Sequence, residues 1–464
     1  MKFRNHILLA LSCAVLVSCS DKFFEQYPSN TVTEGSFYQN DDDFNQAVRG
    51  CYQRLKVQNA FTRETLAYRS DECEEVAMNV SSKYLYFIDR FSEYSSLNTF
   101  SDIWDGWYNG IYRCNDVLDH LEGKEITNHD RYKGECLFIR SWFYFNLYRT
   151  FGGVPITRTV VSPTDAKLIP RCTDEEMYEL LSEDLAEAAE LLPVKRDAEV
   201  ARVTSIAAYG MLAKVHLTFG HYKAAQDALD RALAIDGYGM MPTTEAAFDA
   251  NNKMNKEILF ALYYNKDTDN GHGYWWHAAT TVASDIRNPT QAFYSIFDKE
   301  NDNRYPLVSE YSSTSRKGNN VYAMKKWDDT NPNLVYDSPV GNDFPHLRYA
   351  DLILMYAEAL NGQNQTGLAV DWLNKTRTRA GLPALSASDF ASAKDFTREL
   401  AAERGREFAL EGQRWFDLVR LGMAIERFAE LGVTIDQHNL VFPIPQNQIE
   451  IVNNPEILWQ NVGY

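Results

Sequence analysis

One stretch limits the fold of this chain more than any other. From Glu135 to Phe151, apolar side chains cover most sides of a helical wheel: Leu137, Ile139, Trp142, Phe143, Phe145 and Leu147. A helix that is apolar nearly all round cannot lie on a surface and must be enclosed by other elements. Gly152-Gly153 supply a stop, with Pro155 just beyond, the pattern of a glycine-terminated helix. A chain with such a helix needs others around it, and the rest of the sequence supplies them. Phe44, Val48, Tyr52 and Leu55 recur at helical spacing, as do Ile103, Trp107, Ile111, Cys114 and Leu118 over Asp102 to Leu121. Glu175 to Leu192 is amphipathic, with Thr173 as its expected N-cap and Pro193 at its end.

Ser205 to Ile235 reads as a helix–turn–helix. Tyr209, Leu212, Ala213 and His216 line the first helix, Gly220 makes the turn, and Ala225, Leu229 and Ala232 line the second. Small residues at these offsets let antiparallel helices pack closely, as in tetratricopeptide repeats, although no strict repeat period runs through the chain. From about residue 237 to 345 Gly, Asn, Asp, Ser and Pro become frequent and helical periodicity weakens. Helical patterns return over Leu347 to Asn361, Gly367 to Ala380 with Gly381 as cap, and Lys394 to Leu410. The expected fold is mainly α, a helical scaffold with tetratricopeptide-like helix pairs and a long irregular, loop-rich insertion. The expected division is a leader over 1–18 and one domain over 19–464. The domain has a helical part (19–236), a loop-rich ligand-binding insertion (237–345) and a C-terminal helical part (346–464).

The N-terminus carries its own signal. Lys2 and Arg4 precede an apolar run from Ile7 to Val17, too short for the roughly 20 residues that span a bilayer and suited to a secretory leader. Leu16-Val17-Ser18-Cys19 resembles a lipobox, and Ser20, Asp21 and Lys22 turn polar at once. Cys19 is therefore the expected lipidation site, and the membrane is reached through lipid alone. The net charge of −18 becomes two units more negative once Lys2 and Arg4 leave with the leader. This disfavours nucleic acid as a partner, because phosphate binding calls for a basic face. Cys51, Cys73, Cys114, Cys136 and Cys172 are scattered without a C-x-x-C and read as buried free thiols rather than a zinc site.

Motifs that carry catalysis are missing from the sequence. There is no H-E-x-x-H, G-x-S-x-G, Walker loop or G-x-G-x-x-G, and no cofactor is expected. Asp71, Glu72, Glu74 and Glu75 form an acidic cluster. Two carboxylates can hydrolyse a glycoside when suitably spaced, but a solvated acidic turn is the plainer reading. Asp267-x-Asp269-x-Gly271 and Asp298-x-Glu300-x-Asp302 have alternating acids without the rest of a calcium loop. Near the end, Phe396, Leu400, Glu403, Glu407 and Leu410 share one helical stripe. Two glutamates thus fall on an apolar face, where charge must be paired. Arg348, Asp351, Arg377, Arg404, Arg406, Arg414, Asp417 and Arg420 are at hand for an internal ion network.

Several longer segments carry a family resemblance. Leu347-Arg-Tyr-Ala-Asp-Leu-Ile-Leu-Met-Tyr-Ala-Glu-Ala-Leu-Asn361 and Leu373-Asn-Lys-Thr-Arg-Thr-Arg-Ala-Gly-Leu382 resemble hallmark blocks of the SusD/RagB outer-membrane nutrient-capture lipoproteins. So does Glu403-Arg-Gly-Arg-Glu-Phe-Ala-Leu-Glu-Gly-Gln-Arg-Trp-Phe-Asp-Leu-Val-Arg420. Trp104 to Leu118, Glu135 to Pro155, Leu440 to Pro445, Asn454-Pro455 and Gln460 to Tyr464 fit the same family in order. The resemblance implies a lipid-anchored cell-surface protein of the outer membrane that binds oligosaccharides without cleaving them. It also implies delivery to a SusC-like TonB-dependent transporter. The alternatives are a lipid-anchored glycoside hydrolase, a peptide-capturing RagB-like lipoprotein, or a scaffold for proteins alone. Sugars stack their CH faces on aromatics and pair hydroxyls with planar polar groups. Three stretches fit that chemistry and hold the expected ligand contacts: Asp71 with Tyr84, Tyr86 and Arg90; Tyr274, Trp275 and Trp276; and Asn320, Tyr322 and Trp327.

Overall fold

The computed structural model describes residues 37–57, 65–75, 83–197, 201–264, 277–279, 288–316, 319–327 and 341–464. Cys19, the leader, Asp267 to Trp276 and the first acids of the calcium-like patterns at 267–271 lie outside them. The architecture is mainly helical, as the periodicity requires. The principal helices are α1 (Asp41–Val57), α2 (Lys83–Asp89), α3 (Asn98–Leu121), α4 (His129–Phe151), α5 (Asp174–Leu191), α6 (Ser205–Thr218), α7 (Tyr222–Leu233), α8 (Tyr349–Gly362), α9 (Thr366–Arg379), α10 (Ala393–Glu407), α11 (Arg414–Arg420) and α12 (Gln446–Val452). From α3 to α9 each packs against the next in sequence, and α1 lies on α3. This is a stacked array of helix pairs rather than a bundle around one axis.

α4 is the enclosed helix. Seventeen of its residues are buried, from Tyr132 through Phe151, including charged Glu135 and Arg140. The helix begins at His129, six residues before its expected start. It ends where expected, on Gly152 with φ +75°, the left-handed region that favours glycine. Close packing against α3 depends on another glycine. A Cβ on Gly110 would sit 2.2 Å from the Phe143 ring. α5 opens with the Thr173–Glu176 capping box, and Gly220 turns α6 into α7 with φ +79°.

Two helix ends differ from expectation. Leu347 and Arg348 are strand, not helix, and α8 starts at Tyr349. The strand β7 (Phe344–Arg348) pairs antiparallel with β2 (Ile258–Leu262), matching Ile258 to Arg348 and Leu262 to Phe344. α10 stops at Glu407, not Leu410. Leu410 adopts φ +61°, and its N–H donates to the Glu72 carboxylate at 2.7 Å. A tertiary contact ends this helix, not a breaker residue.

The glutamates on the apolar face of α10 are paired inside the protein. Glu403 accepts from Arg304 (2.8 Å) and Arg406 (2.9 Å). Glu407 accepts from Arg304, Arg348 and Arg379. Arg348, only 1% exposed, also reaches Glu257 at 2.7 Å and both oxygens of Glu411 at 2.9 Å. Arg404 joins Asp351 on α8 to Asp417 on α11. Arg304, Arg379, Glu257, Glu411 and Lys326 complete the network without having stood out in the sequence. Cys51, Cys73, Cys114 and Cys136 are buried and Cys172 is half-buried, all as free thiols.

Candidate functional site

The acidic turn is where structure and sequence reading part most clearly. Asp71 and Glu72 are not solvated; they are 4% and 1% exposed. Arg414 grips Asp71 with two bonds of 2.7 and 2.9 Å, and Arg427 adds a third of 2.7 Å. These cations come from a part of the chain more than three hundred residues away. A short strand, β1 (Cys73–Glu74), leaves the turn and pairs antiparallel with β4 (Asn288–Pro289). Thr290 closes the pair, its N–H donating to Glu72 O and its hydroxyl to Asp71 O. The placement overturns Asp71 as a ligand contact and as a catalytic acid. Its carboxylate is spent on tying this turn to Arg414 and Arg427 of the C-terminal part, while its backbone carbonyl holds Thr290.

The following segment is exposed. Tyr84 and Tyr86 on α2 are half-buried, and Arg90 just beyond is exposed. The Arg90 guanidinium stands 3.8 Å from the Tyr86 ring centroid, which presents a flat cationic and aromatic pair. Its Nη1 donates to the Glu75 carbonyl and the Asp89 carboxylate at 3.0 Å each. Tyr86 meets Phe87 edge-on at 6.0 Å, and Phe87 meets Tyr94 at 5.4 Å. Tyr94 is 44% exposed. Phe87 and Tyr94 were missed in the sequence, though the four-residue step from Tyr86 to Arg90 was a readable helical signal.

Backbone pairing joins residues 277–279 to the strand that carries Asn320 and Tyr322. The strand β3 (His277–Ala279) begins right after Trp276 and pairs with β6 (Asn319–Met324), which in turn pairs with β5 (Tyr311–Arg316). Ala278 stands opposite Tyr322, and Asn320 lies two positions along the same strand. Tyr274, Trp275 and Trp276 lie outside the described residues. Trp327 does not join any exposed surface. It is 2% exposed, stacks on Phe344 with centroids 5.6 Å apart and meets Phe248 edge-on. Its neighbour Lys326 is drawn inward to Glu411 and the Ala409 carbonyl, both at 2.7 Å, and takes the tryptophan into the core. Asp298 is occupied by the N–H groups of Glu300 and Asn301 and the Asn301 amide, and Asp302 by Arg304, so that acidic pattern closes on its own chain.

A separate groove of about 460 Å³ runs between α3, the chain at 155–169 and α12. Its polar groups are largely turned to internal work. Tyr108 donates to the Pro155 carbonyl, Asn115 to the Thr157 and Thr159 carbonyls, and Gln448 to Asp105. None of the sequence-predicted ligand residues lines it.

The carboxylates around the turn set a pH profile. Burial raises Asp71, Asp351 and Glu407, but their guanidinium and ammonium neighbours outweigh it and hold all three well below the usual carboxylate range. Burial lifts Glu72 to about 8, against the Leu410 N–H, and lifts Asp89 to about 6. A lowered carboxylate contributes stability present above its unfolded value of about 4 and lost as pH falls through its folded value; a raised one contributes stability that is lost as pH rises through its folded value. The urea midpoint is thus expected to fall steeply below about pH 4 and to decline gently as pH rises through about 6 to 8. An equal midpoint at pH 5 and pH 2, a range where the lowered carboxylates dominate, would contradict this.

Comparison with known proteins places these features. Residues 218–464 match the model of the SusD family. Residues 22–217 match a family described as starch-binding and associating with the outer membrane. SusD-like protein P38 of Formosa agariphila is 25% identical, over 100% of both chains. Among solved structures, a SusD-like protein from Bacteroides fragilis superposes with a TM-score of 0.80 at 22% identity, covering 95% of this chain and all of that one. Surface glycan-binding protein A of Bacteroides thetaiotaomicron, in complex with laminarihexaose, superposes with a TM-score of 0.75 at 19% identity. It covers 91% of this chain and all of that one.

Proposed function

This chain belongs to the SusD family, and on that premise we propose that it captures oligosaccharides at the cell surface without cleaving them. In this reading lipid on Cys19 holds it at the outer membrane, and it delivers its ligand to a SusC-like TonB-dependent transporter. The observation that carries the reading is the pair of half-buried Tyr86 and exposed Arg90, continued by Phe87 and Tyr94. A pyranose offers an apolar CH face to an aromatic ring and hydroxyls to a guanidinium fork, and this surface supplies both. The glycan-bound relative of the same fold supports the ligand class. Tyr84, Tyr274, Trp275, Trp276, Asn320 and Tyr322 are proposed as further contacts.

Hydrolysis is the weaker reading. Asp71 and Glu72 are enclosed, and Asp71 is neutralised by two guanidinium groups, so neither can serve as one of the reachable acids a glycosidase uses, which leaves Glu74 and Glu75 as the turn's solvent-facing carboxylates. The binding test is titration of purified protein with a panel of glycans and, as the alternative ligand, peptides. With the best glycan, Tyr86→Ala and Arg90→Ala are each expected to weaken affinity about tenfold, near 1.4 kcal/mol, with unchanged thermal midpoints. Full affinity in both single variants and in Trp275→Ala and Trp276→Ala would remove this surface from consideration. Binding of peptides alone would favour the RagB-like alternative.

A further inference from the structure

A second polar site lies apart from the Tyr86–Arg90 surface and shares none of its residues. A partly open chamber of about 30 Å³ lies where α4, α6, β2, β7 and the turn at 411–413 meet. That volume exceeds the space one water-sized particle needs. Its lining includes Asn146, Arg149, Lys214, His346 and Gln413, set among Phe138, Trp142 and Phe416.

The charges around it do not cancel in the usual way. Lys214 pairs with Asp351 and donates to Gln413 Oε1. Glu411 also lines the chamber, but Arg348 and Lys326 occupy its oxygens. Arg149 differs from these cations. Among the described residues no carboxylate lies within 4.0 Å of it. One Nη donates to Asn146 Oδ1 at 2.8 Å, and its Nε is buried without a protein acceptor. Its guanidinium is sandwiched between Phe145 and Phe416 at 4.1 and 3.9 Å. Ring faces offset part of a buried positive charge, but they do not accept the in-plane N–H. Across the chamber His346 Nε2 is likewise buried without a partner. Burial, with Lys214 and Arg149 nearby, holds that imidazole down to about 3, so it is neutral and can donate from one nitrogen.

We infer that this chamber is a binding site for one small monovalent anion of the halide class, held by Arg149 with donors from Lys214 and His346. Asp417 and Asp351 attract Arg149 only at longer range, and a buried N–H left without an acceptor is costly; an anion here would supply the acceptor that Arg149 Nε lacks. Because α4 belongs to the N-terminal half and the 411–416 segment to the C-terminal half, the bound ion would link the two. The inference does not depend on the glycan reading.

The test is crystallography of the purified chain grown in bromide, read by anomalous scattering. The expected result is a bromide peak within about 3.5 Å of Arg149. Chamber density without an anomalous peak at high bromide would overturn the site. In solution, replacing gluconate with chloride at equal ionic strength is expected to raise the parent's melting midpoint by about 2 °C through binding to the folded state. Arg149→Met should lose that response. An equal chloride response in the variant would also overturn the inference, since the effect would then be general to salt.

Discussion

Arg348→Met is expected to destabilise the protein by about 3–5 kcal/mol, the usual cost of stripping one partner from a buried ion cluster. The guanidinium touches three carboxylates, Glu257, Glu407 and Glu411, at 2.7 to 2.9 Å. All three are buried, so none can turn to water when it leaves. Arg379 remains beside Glu257 and Glu407, and Lys326 beside Glu411, which limits the loss without removing it. Arg348→Lys should recover only part, because an ammonium cannot reproduce the fork that grips both oxygens of Glu411. The double variant Arg348→Met with Glu411→Gln should be less damaged than the sum of its parts, since it leaves fewer unpaired charges. Urea unfolding of the parent, the three single variants and the double variant measures this. A loss under about 1 kcal/mol for Arg348→Met would show that the cluster is dispensable to the fold.

Cys19→Ala is expected to release the protein from the membrane fraction almost completely while leaving glycan affinity unchanged. In the proposed arrangement the acyl chains on Cys19 are the anchor; among the described residues no helix is long and apolar enough to cross a membrane. Each buried methylene contributes about 0.8 kcal/mol, and stable attachment takes more than one chain. Fractionation of cells carrying the variant, with binding measured on the released protein, separates anchoring from recognition. Growth on the captured glycan should fail in the same cells. Retention in the membrane fraction would remove the lipid anchor from the proposal, and normal growth would count against hand-over from a tethered position.

The helices were legible because their signals are local. The enclosure of α4, the cap at Gly152, the Thr173 capping box and the turn at Gly220 are each written within a few residues of where they act. That Glu403 and Glu407 must be paired was also legible, since a charge on an apolar stripe has only that resolution. The partners were not. Arg304 and Arg379 meet Glu407 only because the fold brings three separate segments together. Asp71 and Glu72, adjacent acids with no apolar neighbours to betray burial, read as a solvated turn until Arg414 and Arg427 arrive from 343 and 356 residues away. The strand at Leu347–Arg348 and the left-handed Leu410 have the same origin: pairing with Ile258 and with Glu72 overrides a local helical pattern. Trp327 reads as a loop aromatic for the same reason, because the lysine that pulls it inward finds its carboxylate at Glu411. By itself the sequence determined which segments are helical, where those with glycine or capping signals begin and stop, and that buried charges need partners, since these follow from periodicity, capping and desolvation along a few turns of chain. Which carboxylate meets which guanidinium, and which aromatics remain exposed, was decided only by tertiary structure, because those contacts join residues whose separation along the chain carries no trace of their distance in space.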